Sequence, residues 1–304
     1  MTMKNDLNTR PCPICDDDDF DVLYASTLNS DSFTPEIFSA RRIPDRLHGQ
    51  FVKCNTCGCV YVNPVTDVEF LSDLYEKSKF TYGPIVDDIQ RTYLHYFKKA
   101  LAFHPLSKGS SLMEIGCGNA FFLEGAHRLG VDLVYGVEPS SDAIANASNV
   151  IRPQIINDIF RPGLFSEQSL DYICAFQVAD HLPHPKETFR ECFRILKRGA
   201  VLLCLNHNVD AVSAKVLGER SPIFDIEHTI SYSPKTMTRL LQGCGFTIVN
   251  CGTAYNKYNL PYLLHLFPFS NVIKRNALFK KFQSINNIKL PLPLGNLFMI
   301  AQKQ

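Results

Sequence analysis

The chain has 304 residues, 45% of them hydrophobic, which is enough for one large domain or two smaller ones around a buried core. Its 31 basic residues balance 30 acidic ones to a formal charge of +1, so no overall field gathers phosphate backbones or anionic membranes, although a local basic patch stays open. No run approaches the roughly 18 apolar residues of a membrane span, and the first residues lack the apolar core of a signal peptide, so a cytoplasmic protein is expected.

Near the start come "CPIC" (Cys12, Cys15) and "KCNTCG" (Cys54, Cys57), two residues inside each pair and 38 between the pairs. Each C-x-x-C can turn two thiolates towards one ion, and Gly58 permits the backbone angles such turns need, so tetrahedral zinc suits the pattern. A redox pair is the competing reading, but it needs one C-x-x-C opening a helix after a strand, which is missing here. The pattern predicts a structural zinc ribbon over residues 1–65, with Cys59 facing the core and Asp16 to Asp19 forming a solvated turn. The eleven cysteines, an odd count, argue for thiols and metal over disulfides. Cys174, Cys204 and Cys251 lie in apolar strand-like runs, where a thiol acts as a small hydrophobe.

A helical linker is expected over residues 66–105, with Asp67 capping a short helix and a longer one from Ile85 to about Phe103. From Leu112 short apolar runs alternate with amphipathic stretches. "SLMEIG", "DLVYGVE", "PQIIND", "LDYICAFQ", "GAVLLCLNH", "GFTIVNCG" and the final "LGNLFMIAQK" read as strands. Helices are expected near Ala120–Leu129, Ser141–Asn149, Lys186–Leu196 and Pro234–Gln242. That alternation implies a parallel sheet covered by helices on both faces. Residues 255–290 interrupt it with an apolar and then basic stretch. A membrane-surface segment is one reading, but Pro261 and Pro268 break a continuous amphipathic helix, so a helical insertion packed over the sheet edge or the substrate site is expected.

The first strand runs into "EIGCG". A ligand at the carboxyl end of such a strand meets backbone at Gly116 and Gly118. The dinucleotide fingerprint wants a third glycine where Phe121 stands, and no Gly-Lys-Ser/Thr follows, so NAD and a P-loop nucleotide fit poorly. Glu138, twenty residues beyond Gly118, is placed at the end of the second strand to accept from both ribose hydroxyls of a nucleoside. Asp158, after the third strand, is placed to accept from an adenine amino group.

From about Leu106 to Gln304 the chain resembles the class I S-adenosylmethionine-dependent methyltransferases. "MEIGCGNAFF" looks like the family's first motif, "GVEPS" its second, Asn157–Asp158 its third, and the stretch from Leu170 to Cys204 its fourth and fifth. The resemblance implies a Rossmann-like α/β fold, a seven-stranded mostly parallel sheet with helices on both faces, behind the small zinc-ribbon domain. It implies a methyltransferase domain over residues 106–304. Glu114, Gly116, Cys117 and Gly118 would line the methionine part of S-adenosylmethionine, Glu138 the ribose, Asp158 and Ile159 the adenine, and Phe176 and Gln177 the sulfonium. The chain departs from the family at Asp180–His181, usually Glu-His, and at Arg198–Gly199–Ala200, usually Pro-Gly-Gly. With its four-cysteine front half it is similar to bacterial methyltransferases of sugar and surface-polysaccharide pathways, which implies a sugar or nucleotide-sugar acceptor.

A sulfonium already activates its methyl group, so the protein must align an acceptor and, where needed, remove its proton. The Asn/Asp-Pro-Pro-Tyr motif of some amino-group methyltransferases is absent, which favours an oxygen or carbon acceptor. His181 and His228 are the candidate bases; each can equally hold its own loop in place. His184 is expected to be exposed, and Tyr82 and Tyr232 either meet substrate or pack. Two other readings stand beside this one: an RNA methyltransferase using the ribbon on nucleic acid, disfavoured by the balanced charge, and a cofactor-binding scaffold without turnover.

Overall fold

The computed structural model describes residues 7–28, 46–79, 86–259 and 289–304. The elements in chain order are β1 (Leu7–Asn8), β2 (Phe20–Tyr24), β3 (Phe51–Cys54), β4 (Val60–Val62), β5 (Val65–Thr66), α1 (Val68–Glu76) and α2 (Val86–Ala100). Next come β6 (Ser111–Ile115), α3 (Phe121–Arg128), β7 (Leu133–Val137), α4 (Ser141–Ala145), β8 (Ile155–Ile156), β9 (Leu170–Phe176) and α5 (Pro185–Ile195). The last are β10 (Leu196–His207), α6 (Val212–Leu217), β11 (Ile230–Ser231), α7 (Pro234–Gly243), β12 (Thr247–Asn259) and β13 (Lys289–Gln302).

Seven strands form one sheet in the order β12-β13-β10-β9-β6-β7-β8. Strands β6 to β10 run parallel, and β13 enters antiparallel to both β10 and β12. This is the Rossmann-like mostly parallel architecture expected from the sequence. The order reverses between β6 and β9, and a crevice opens at such a switch point beside the strand tips.

Both faces of the central strands are covered, so they read as unbroken apolar runs. Along β9, Tyr172, Cys174 and Phe176 join the core under α2 and α3, whereas Ile173 and Ala175 join the core under α5 and α7. At the opposite end of the sheet from the crevice, Asp171 fixes the start of β6 against β9. It accepts from the Ser111 N–H at 2.9 Å, the Ser111 hydroxyl at 2.8 Å and Lys197 Nζ at 2.8 Å. Burial pushes its carboxyl up, but these donors prevail and hold it below the usual range.

Asp67 caps α1, accepting from the Glu69 and Phe70 N–H groups. In front of it, β2, β3 and β4 make a small antiparallel sheet, and its fourth strand is β11, supplied from residues 230–231. Cys12, Cys54, Cys57 and Tyr61 belong to the same buried cluster as Ile230, Tyr232 and Met237. The ribbon therefore shares both a sheet and a core with the rest of the molecule.

Two expectations are corrected. The stretch expected as a helical insertion begins and ends as strand: Asn256 pairs with Leu292 and Asn259 with Lys289, prolonging an antiparallel β12–β13 arm. Residues 260–288 lie outside the described residues. Cys251 is exposed, unlike Cys174 and Cys204, because β12 is the edge strand of the sheet.

Candidate active site

At the end of β6 the chain turns sharply, and both the Gly116 and Cys117 N–H groups donate to the Val137 carbonyl. Gly116 and Gly118 have φ of 65° and 55°, in the left-handed region that favours glycine. A Cβ on Gly116 would lie 2.6 Å from Val178 Cγ2, so the loop presses directly against the turn that follows β9. The Gly118 N–H donates to Glu138 Oε2 at 2.8 Å, and the Ser140 N–H donates to Oε1 at 2.9 Å. One carboxylate at the tip of β7 thus ties the glycine loop to the start of α4.

Glu114 and Glu138 are both buried. Burial drives the Glu114 carboxyl well above its ordinary pKa, and the nearby Glu138 charge adds to the effect. Burial also raises Glu138, against the pull of its two N–H donors. Three buried oxygens, Glu114 Oε2, Asn119 Oδ1 and Gln177 Oε1, have no hydrogen-bond partner among the described residues. Buried acceptors of this kind call for donors. A ligand with an ammonium group and hydroxyls suits them, and S-adenosylmethionine carries both on its amino acid and ribose parts. Gln177 is held in the left-handed region at φ 56°, its N–H donating to the Leu205 carbonyl at 2.7 Å.

The other cofactor candidates are placed less simply. Asp158 accepts from the Ile159 N–H at 2.8 Å and pairs with Arg161 at 2.8 Å, and the Ile159 side chain is exposed beside it. The Cys117 side chain is buried towards β7, where a Cβ on Gly136 would come within 2.5 Å of its sulfur. Cys117 therefore meets the loop through its backbone and not through its thiol. The Phe176 ring stacks on Tyr93 at 4.2 Å between centroids and meets Phe122 edge-on, which places it in the core under α2.

Beyond Gln177, around the turn that follows β9, lies a group of imidazoles. His181 is bonded through Nδ1 to the Tyr75 hydroxyl at 2.9 Å. Burial, reinforced by His228, pushes its pKa down to about 3. The His228 Nδ1–H donates to the Ile223 carbonyl at 2.8 Å, and burial with His207 nearby lowers its pKa too. Both rings are therefore neutral near pH 7. The two rings stand 5.0 Å apart, and His207 lies 4.7 Å from His228. Asp180 Oδ2 accepts from both the His207 N–H and its Nδ1, each at 2.9 Å. Burial raises the Asp180 carboxyl, but the His207 hydrogen bonds and the nearby His207 and His228 rings hold it below its ordinary value.

His207, Asp180 and Tyr75 stand with the two candidate bases, and the sequence reading assigned a role to none of the three. His207 could have been found by the reasoning applied to Glu138, since it stands at the carboxyl tip of a predicted strand. Tyr232 is wholly buried, Tyr82 lies outside the described residues, and His184 is exposed at the start of α5.

The four cysteines converge as expected, with one sulfur from each within 4.8 Å of the rest. Cys12 to Cys57 and Cys15 to Cys54 are both 3.5 Å apart. Sulfurs around tetrahedral zinc at about 2.3 Å stand roughly 3.8 Å from one another, so the donor set fits that ion. Beside them, half-buried Arg10 donates from one guanidinium nitrogen to the Pro183 carbonyl and from another to the Thr229 carbonyl, at 2.6 and 3.0 Å. These two residues flank His181 and His228.

A family model described as a methyltransferase domain matches residues 87–250, and the chain belongs to that family. The chain is 28% identical over 120 residues to a protein of Caulobacter vibrioides called ubiquinone biosynthesis O-methyltransferase, covering 36% of this chain and 47% of that one. It is 24% identical over 170 residues to a protein of the same name from Cupriavidus pinatubonensis, covering 51% and 68%. The chain thus spans about half the length of the first of these curated relatives. Among solved structures, a SAM-dependent methyltransferase from Archaeoglobus fulgidus superposes with a TM-score of 0.50 at 18% identity, covering 78% of this chain and all of that one. A chain from a complex of the Haloferax volcanii Trm112 methyltransferase activator with a methyltransferase gives 0.51 at 16% identity, covering 71% and 92%. These two likenesses concern the fold.

Proposed function

We propose that the protein transfers the methyl group of S-adenosylmethionine to an oxygen of a small-molecule acceptor, with a sugar or nucleotide-sugar as the acceptor class. The observation that carries this is the polar lining of the crevice, where Glu114, Asn119 and Gln177 keep buried acceptor oxygens without a partner among the described residues, around a loop of bare backbone. No phosphate would be welcomed beside two buried carboxyl groups. In this reading Glu114 and the glycine loop hold the methionine part, Glu138 the ribose, and Asp158 with Ile159 the adenine. The names of the curated relatives support an oxygen acceptor.

The bound cofactor supplies an electrophilic methyl group, and the chain's own residues supply alignment. His181 stands beside the expected path of the acceptor and, as a neutral ring, orients its hydroxyl by hydrogen bonding, with the His228 ring packed edge-on against it. The four cysteines hold a structural zinc ion. Calorimetry with S-adenosylhomocysteine should give one site per chain, and Glu138→Ala should abolish the heat. Radiolabelled S-adenosylmethionine should then transfer label to a member of a panel of nucleotide sugars, free sugars and dihydroxybenzoates. Binding of NAD or ATP in place of S-adenosylhomocysteine would end this reading.

A further inference from the structure

We propose that Asp180, His207 and His228 form a site for one divalent transition-metal cation, separate from the four cysteines and on the acceptor side of the strand tips. The three side chains come from the turn after β9, the tip of β10 and the segment before β11, yet a ligand atom from each lies within 4.8 Å of the others. Two imidazoles and one carboxylate on one face make a donor set for zinc, manganese, iron or cobalt, harder than a set of four thiolates.

Each residue is prepared for the role. The His228 Nδ1–H is committed to the Ile223 carbonyl at 2.8 Å, which leaves Nε2 with a free lone pair. Metal-binding histidines commonly have their second ring nitrogen fixed to a carbonyl in this way. Asp180 is 1% exposed, and its Oδ1 has no hydrogen-bond partner among the described residues. A buried carboxylate with one bare oxygen is poorly solvated unless a donor or a cation completes it. His207 Nδ1 and Asp180 Oδ2 are 2.9 Å apart. Ligands at right angles on an octahedral ion with bonds of about 2.1 Å stand roughly 3 Å apart, so that spacing serves a shared cation as well as a hydrogen bond.

Three protein ligands leave coordination positions open, and the His207 side chain, 24% exposed, marks the side from which they are reached. On the methyltransferase reading, an acceptor hydroxyl would occupy one of them and give up its proton more readily.

The test uses the full chain, dialysed against a mild chelator with its thiolate-bound zinc kept, and then titrated with cobalt(II). The expected result is one further equivalent of cobalt, with the weak visible bands of nitrogen and oxygen ligation and no thiolate charge-transfer absorption. His207→Gln and His228→Gln should each weaken that binding by about 100-fold or more, while His184→Gln leaves it unchanged. Where the two variants do not fold, manganese(II) added to histidine-labelled wild-type protein should broaden the imidazole resonances of His207 and His228. No cobalt beyond the thiolate site, extra cobalt indifferent to both variants, or resonances left sharp would each overturn the proposal. S-adenosylhomocysteine affinity is measured on the same samples: its absence would overturn the methyltransferase reading, whereas its presence without the extra metal overturns only the cation site.

Discussion

The carboxyl group of Glu114, at the end of β6, lies too deep to ionise without help, and its Oε2 has no partner among the described residues. A group whose pKa rises on folding binds more protons folded than unfolded. The stability associated with it is therefore complete below the unfolded value, about 4.3, and is lost as pH rises towards the folded value. Glu114→Gln removes that burden, so the variant should be more stable than wild type, by a margin that grows in urea titrations as pH rises above the unfolded value. The same change deletes a charged partner for the cofactor's ammonium group. Affinity for S-adenosylhomocysteine should fall by roughly 10- to 100-fold, as expected for one charge-assisted hydrogen bond. A variant that bound as tightly as wild type would remove Glu114 from the cofactor site. Gly116 tests the neighbouring backbone. Alanine there meets both a positive φ and Val178 at 2.6 Å, so Gly116→Ala should lose about 2 to 4 kcal/mol in denaturant titrations.

Among the elements, the ribbon and the acceptor segment act on one another through β11, which completes the ribbon sheet, and through Arg10, which bonds to the carbonyls of Pro183 and Thr229. Withdrawing zinc should therefore disturb residues far from the cysteines in sequence. With Cys54→Ser, or with a strong chelator, amide exchange should accelerate at Thr229 and Ile230 as well as in β3 and β4. Protection that vanished in β3 and β4 alone would mean that the segment carrying His228 stands without the ribbon. The sequence showed the two cysteine pairs and the strand-tip acids because each depends on local spacing: a turn after a thiolate, or a carboxylate at the end of an apolar run. It could not show β11, since two residues of strand carry no periodicity and their pairing with β4 spans about 170 residues of chain. Nor could it show that Asp180 fixes His207, because that contact depends on β9 and β10 lying side by side. The packing of Cys117 and Phe176 was illegible for a third reason: a motif places a residue at a strand tip, but packing decides which way its side chain turns.

For the molecule as a whole, the continuity of core decides how it comes apart. Cys12, Cys54 and Tyr61 share a buried cluster with Ile230, Tyr232, Met237 and the strands of the central sheet. Lys186, on α5, adds an ion pair with Asp16 at the ribbon's surface. A ribbon linked by a flexible tether would melt on its own, and removing zinc would erase its transition without moving the main one. Here the interface is apolar and hydrogen-bonded on several sides, so the ribbon loses its fourth strand whenever the larger unit opens, and the larger unit loses cover from its core whenever the ribbon opens. Calorimetry of the zinc-loaded chain should show one heat-capacity peak, with agreement between van't Hoff and calorimetric enthalpies over the ribbon and the sheet. S-adenosylhomocysteine should raise that single midpoint, and by linkage a hundredfold excess over the dissociation constant contributes about 2.7 kcal/mol to the whole unit. Zinc removal should lower the same midpoint. Two resolved peaks, only one of them responding to S-adenosylhomocysteine, would show that the shared sheet and Arg10 are too weak to couple the two parts.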